Sequence, residues 1–324
     1  MRRIGFLTFL AAALWTASLA VSIRASTATL TDQETTTASY GSAACFSNDA
    51  SGPTIPSSVI SKTSPYLPSF IRQAGAYYVY ANAPAGSGGP TTRVSADVRG
   101  ITPGQYIVPL VAGSYSVGGT AYTYRSAALT ATSPLAQGAY PYSVSAATAS
   151  SQCRTASWNV TVDNTAPTAT DVQPNNGGGG TTGRPNIADT IVYTFSETID
   201  PETVSVGWTG TSRNVVVRIT NSGTNDLLTV WNSANTTQLP MGSVALSQNY
   251  VTTNTTWGAS GTASTMVQSG ATVTITLGTG AGTTVQSTAN VAAVWTPVST
   301  PTDRAGNAAT TTLATEGGAS DRNF

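Results

Sequence analysis

Residues Asp189–Val204 read DTIVYTFSETIDPETV. Ile191, Tyr193 and Phe195 alternate with Val192 and Thr194, the period-two pattern of a strand with one apolar face. The stretch then turns at Asp200-Pro201, where the aspartate side chain can accept from nearby backbone amides and proline presets φ. A strand closed by an acidic turn, with no long helical period on either side, predicts an all-β fold.

The same pattern extends outward. Ala169–Val172, Val215–Ile219, Leu227–Trp231, Ala271–Leu277 and Val291–Thr296 read as further strands of a second half, with NNGGGGTTG at Asn175–Gly183 as a flexible loop. Alternation places Tyr193, Phe195, Val216, Val273 and Ile275 in its core. In the first half the strand candidates are Ala76–Ala83, Thr92–Val98, Tyr106–Val111, Tyr140–Ala146 and Ala156–Val162. Tyr115–Arg125 reads as a hairpin through Gly118-Gly119, because both turn positions of the tight type need positive φ. Thr155–Pro167, TASWNVTVDNTAP, is the boundary: Trp158, Val160 and Val162 share a strand face, and Asp-Asn then Ala-Pro follow. The expected architecture is two tandem antiparallel β-sandwiches, residues 29–164 and 165–324, after an apolar N-terminal signal or anchor helix at 1–28.

Composition agrees with strands whose outer faces carry Thr and Ser. Of the 324 residues, 9% are charged, against about 25% in ordinary soluble proteins. Formal net charge is zero. Arg2, Arg3 and Arg24 flank the apolar segment, so their removal leaves a mildly acidic chain with no basic patch for nucleic acid. There is no histidine, and Lys62 is the one lysine. Imidazole metal sites and imidazole bases are therefore excluded. With no G-x-S-x-G nucleophile motif either, the reading is that the chain is not an enzyme.

The N-terminus reads as an export signal. Met1-Arg2-Arg3 is followed by the apolar run Ile4–Ile23, and Ser26-Thr27-Ala28 fits small-x-small cleavage. The run is also long enough to span a bilayer, so an uncleaved anchor stays open, and membrane contact is expected only through it. Prepilin and lipoprotein processing do not fit: Leu10 stands where a prepilin carries Glu, and Cys45 lies far from the apolar run. In an exported chain Cys45 and Cys153 are expected to form a disulfide, the alternative being two separate buried thiols.

Three resemblances follow from quoted residues. Ser26–Ala43, STATLTDQETTTASYGSA, resembles the segment after SipW-type signal peptides of Gram-positive exoproteins, which include TasA-like matrix proteins. Ala28, Asp32 and Glu34 match; Leu30 stands where an aromatic is usual, and Ser42-Ala43 replaces Ala-Gly. That similarity implies export, not an activity. Thr155–Pro167 and Tyr115–Ala131 resemble segments of bacterial Ig-like modules. Asp189–Val204 resembles the pattern of SbsA-type Ig-like domains, with Ile191, Phe195, Ser196, Glu197, Asp200, Pro201 and Thr203 matching and Ile199 in place of Met. Thr302–Thr312, TDRAGNAATTT, is similar to the turn and final strand of the same family through Asp303, Gly306 and Asn307. The resemblances imply that both sandwiches are Ig-like, the second of SbsA type, and that these residues have a structural role.

Candidate sites are few. Glu197, Asp200 and Glu202 form the densest acidic group, read as turn structure over a glycosidase pair. Asp163 and Asn164 are candidate weak Ca²⁺ ligands at the junction, with Asp189 or Asp303 as helpers, though calcium takes six or more oxygens. No other cofactor is expected. Tyr77, Tyr78 and Tyr80 join two strand-spaced pairs, Tyr122/Tyr124 and Tyr140/Tyr142. Those pairs could present an aromatic face to sugars or a protein, or straddle the core edge with wet hydroxyls. Leu239–Ser243, LPMGS, is internal and not a sortase signal, and the sequons at Asn159, Asn235 and Asn254 are incidental. The expected role is a secreted or cell-surface structural or adhesive protein, matrix formation included, that associates with itself or with a surface polymer or protein. A glycan- or protein-binding surface module is the alternative.

Overall fold

The structure is a computed structural model that describes residue 45 and residues 48–63 and 67–324. The signal segment, its cleavage region and the SipW-like stretch lie outside the described residues. Within them the chain is all-β, with two sheets. No described helix is long and apolar enough to cross a membrane.

The first sheet holds β1 (Ser57–Lys62), β2 (Phe70–Ile71), β3 (Ala76–Asn82), β4 (Thr91–Asp97) and β5 (Val108–Val117). It continues with β6 (Thr120–Ser126), β7 (Leu129–Thr130), β8 (Gly138–Thr148) and β9 (Cys153–Val162). The order is β1-β3-β6-β5-β4-β8-β9-β2, with β7 paired to β3. The β5–β6 hairpin turns through Gly118 and Gly119 at φ 55° and 78°, as its sequence predicts. One expectation is corrected: the sheet is not purely antiparallel, because β2 runs parallel to β9, with Phe70 beside Thr161. Ser69 N then donates to Ile60 O at 2.9 Å, so the two ends of the sheet nearly meet and the wrap is barrel-like. Ile60, Tyr77, Val79, Val94, Val144, Val160 and Val162 fill its interior.

The second sheet holds β10 (Ala169–Asn175), β11 (Thr190–Phe195), β12 (Arg213–Thr220), β13 (Leu227–Asn232) and β14 (Gln238–Ala245). It continues with β15 (Thr255–Trp257), β16 (Ser264–Ser269), β17 (Thr272–Thr276), β18 (Gly280–Ala281), β19 (Val294–Thr296) and β20 (Ala314–Thr315). A single helical turn, α1 (Pro201–Val204), follows β11. The order is β10-β11-β17-β16-β12-β13-β14-β19-β20, with β15 bridging β12 and β18. This sheet also nearly closes: Asp171 accepts from Gly317 N at 2.8 Å, and Gln173 Nε2 donates to Gly317 O at 2.8 Å. Thr302–Thr312 does not end in the long strand its pattern suggests. The turn forms, and the last strand is the two-residue β20.

The second core is built on aromatics. Tyr193 and Phe195 meet Trp295 edge-on, with ring centroids 5.0 and 4.9 Å apart. The Trp295 indole N–H donates to Met241 O at 2.6 Å, so this large side chain is buried with its polar group satisfied. Val273 and Ile275 join the same core. Val216 is fully buried, but its neighbours Val215, Val217 and Ile219 face the main core, which places Val216 on the opposite face of β12.

Sheet membership changes between Val162 and Ala169, around the expected boundary, and both sheets belong to one compact unit. Cys45 and Cys153 are bonded, Cα–Cα 5.6 Å, which ties the entering chain to the start of β9. Asp49 reinforces that tie, donating from its N to Cys153 O and accepting from Cys153 N, both at 2.9 Å.

Candidate functional site at the junction of the two sheets

The turn at Asp200-Pro201 and the turn at Asp303–Asn307 both meet the first sheet. Asp200 caps α1, its Oδ1 accepting from Glu202 N at 3.1 Å, and Pro201 sits where its missing N–H costs nothing. The backbone N of Asp200 donates to Thr302 O at 2.7 Å, which locks this turn onto the second motif. In that motif Asp303 Oδ1 accepts from Gly306 N at 2.6 Å and Asn307 N at 2.8 Å, and Oδ2 accepts from Asn307 Nδ2 at 2.7 Å. Gly306 adopts φ 95°, a conformation glycine reaches without strain.

Across the junction stands Lys62, the last residue of β1. Its Nζ lies 2.6 Å from Asp200 Oδ2 and donates to Asp303 O at 3.2 Å and Thr302 Oγ1 at 3.4 Å. The carboxylate of Asp200 is fully buried and the lysine nearly so. Asn307 Nδ2 donates to Asp163 O at 2.8 Å, and the Arg304 guanidinium stacks 3.9 Å above the Phe70 ring. Asp200, Asp303 and Asn307 are thus part of the contact surface between the sheets.

The motif carboxylates do not all sit together. Asp163, Glu197 and Asp303 have carboxylate oxygens within 4.8 Å of one another. Burial pushes the Glu197 carboxyl up to about 7, helped by the charges of Asp163 and Asp303 and by a hydrogen bond that protonated Glu197 donates to Asp163; Arg304 opposes the shift. Asp303 is also raised, first by burial, against the hydrogen bonds it accepts. The arrangement holds a proton between crowded carboxyls near neutral pH.

The two residues of the expected calcium pair have different partners. Asn164 is not a free ligand: its Oδ1 accepts from Gln73 N at 2.8 Å and its Nδ2 donates to Leu135 O at 2.8 Å. Asp189 lies in a different loop, accepting from Gly177 N and Asn186 N at 2.9 and 2.6 Å. Asp163 instead meets Glu197 and Asp303, three carboxylates close enough together to hold a metal ion. Ser196 Oγ accepts from Thr168 N at 2.9 Å, a structural contact at the start of the second sheet.

The tyrosines do not make the exposed face that their spacing allows. Tyr142 is buried in the first core with its hydroxyl 3.1 Å from Ser58 Oγ, and Tyr122 packs with Val59, Tyr80 and Val117. Tyr124 and Tyr140 are half-buried against the first core. Tyr106 is exposed beside Arg99, and Tyr78 and Tyr115 are half-buried with the Arg125 guanidinium 4.5 Å from each ring. Sequence reasoning missed Lys62, Phe70, Arg125 and Arg304. Only Lys62 carried a signal, being the sole lysine.

No protein-family model matches the chain, and no curated protein matches it.

Proposed function

We propose that this is an exported structural or adhesive protein of the cell surface or extracellular matrix, non-catalytic, built from two bacterial Ig-like modules, the second of the SbsA type. The observation that carries the reading is the junction. The motif residues Asp200, Asp303 and Asn307 all bond across or along the contact between the sheets, as a load-bearing joint between modules requires. The Cys45–Cys153 disulfide agrees with an oxidising, extracellular destination. The SipW-like N-terminal stretch supplies the route. Few charges on the strands leave edge-to-edge association weakly opposed.

Sedimentation of the purified mature chain over a rising concentration series tests self-association. Concentration-dependent higher species are expected; a strict monomer throughout counts against the matrix role. Detection of the chain in the cytoplasmic fraction alone would overturn export.

A second reading, a surface module that binds glycan or protein, is favoured by Tyr78 and Tyr115 around Arg125. Tyr115→Ala would then lower binding on a glycan array with the fold intact. Tyr142→Ala is no test of binding, because that ring is buried.

A further inference from the structure

The chain's only ε-amine is held in a single, closed environment. Lys62 Nζ is 2.6 Å from Asp200 Oδ2, and that oxygen has no hydrogen-bond partner other than the lysine among the described residues. The carboxyl cannot swing away, because Oδ1 accepts from Glu202 N and the Asp200 backbone is clamped by Thr302 O and by Thr203 Oγ1, which donates to Asp200 O at 2.6 Å. The amine cannot swing away either. Asp303 O and Thr302 Oγ1 take its other protons, and its stem passes the bare face of Gly306, where an added Cβ would stand 3.5 Å from Lys62 Cδ. An amine and a carboxyl from two different sheets are therefore fixed in contact, away from water.

We propose that Lys62 and Asp200 are joined by an intramolecular amide bond, a covalent rivet between the two sheets. The step forms Nζ–Cγ and breaks Cγ–Oδ2. Of the three protons on the ammonium, one stays on the amide nitrogen and two leave with Oδ2 as water, so no oxidant or co-reactant is needed. The ammonium first passes a proton to the carboxylate. The neutral amine then attacks Cγ of the neutral acid. Fixed contact replaces the encounter that makes the same condensation slow in solution, and exclusion of water opposes the reverse hydrolysis. The neighbouring Glu197 carboxyl, raised to about 7 mainly by burial, provides a group in the same junction that exchanges protons near neutral pH. The proposal stands on this geometry alone and holds whether or not the protein is a matrix component.

Peptide-level mass spectrometry of the reduced, denatured full chain tests it, free of any effect of N-terminal processing. The expected result is a branched peptide linking the Lys62 and Asp200 segments, lighter than their sum by one water. Amine-reactive labelling in denaturant should then find no free ε-amine. Lys62→Arg and Asp200→Ala should each restore unlinked peptides of full mass. The decisive measurement is made on the wild-type chain, so misfolding of a variant does not cloud it. Recovery of the Lys62 peptide only as a linear species with a reactive amine overturns the bond and leaves a plain buried ion pair.

Discussion

Glu197→Gln should make the protein more stable at alkaline pH and leave it unchanged in mild acid. The Glu197 carboxyl is raised from its ordinary 4.5 to about 7, mainly by burial and then by the charges of Asp163 and Asp303. A group whose folded pKa exceeds its unfolded one is protonated more readily in the fold. Its stability contribution is full below about 4.5 and is lost as pH rises through about 7. A shift of that size penalises the ionised fold by about 3 kcal/mol, taken at face value. Glu197 is only half-buried, so solvent screening reduces this to about 1 kcal/mol. Glutamine keeps the donor to Asp163 and removes the ionisation. Urea unfolding of wild type and variant at pH 5 and pH 8 reads the effect. Glu316, also raised to about 7 mainly by burial, gives the wild type the same downward trend with pH, so the difference between the two proteins is the measure. A gap of about 1 kcal/mol in favour of the variant at pH 8, closing by pH 5, is expected. A gap independent of pH, or one that opens in acid, would refute the reasoning.

Cys45→Ser opens a cross-link of sequence separation 108, and the chain-entropy relation puts its loss at up to about 4.7 kcal/mol. Calorimetry with and without reductant should lower the wild-type Tm to that of the variant; a Tm indifferent to reductant would sink the claim. Trp295→Ala empties the space between Tyr193 and Phe195 and should cost about 3–5 kcal/mol in denaturant unfolding. A loss under about 1 kcal/mol would mean that the core collapses around the gap. Excess calcium, and then chelator, should leave the Tm unchanged at neutral pH, because Asn164 is committed to Gln73 and Leu135. A calcium-dependent rise abolished by Glu197→Gln would instead make the carboxyl cluster a metal site.

Alternation made Tyr193, Phe195, Val273 and Ile275 legible as core. It also named Val216, which is fully buried but outside the main cluster: Val215, Val216 and Val217 are all apolar, and a run without alternation names no face. Only the register, Val217 beside Val230 on one side and Trp257 on the other, settles which valines look inward. The two-residue β2 is too short to carry any pattern, so its parallel pairing was invisible. The i, i+2 spacing of Tyr140 and Tyr142 correctly puts them on one face, but spacing does not say whether that face meets water or the core. The acidic motif was legible as a turn and illegible as an interface, since its partners lie at Lys62 and Asp163, far away in the chain.

The low charge content takes on a different meaning once the carboxylates are placed. Asp189, Asp200, Asp226, Asp303 and Glu316 are buried. Asp226 accepts from Ser222 N, Tyr250 N and Val251 N at 2.9, 2.7 and 2.8 Å, and Glu316 accepts from Ala293 N at 2.7 Å. Loops between short strands leave amides that no ladder satisfies, and a carboxylate is a strong acceptor able to gather several at once. These acids therefore organise backbone inside the fold, as Asp189 and Asp303 do in their own turns. Clusters of acids in such a chain mark where irregular backbone must be held, which weakens any catalytic reading of Glu197, Asp200 and Glu202. It also leaves the outer strand faces poorer in charge than composition alone implies. Charge is one of the devices that keep exposed strand edges from pairing with other chains. The burial of acids that stabilises the loops and the weak repulsion that favours association thus have one origin.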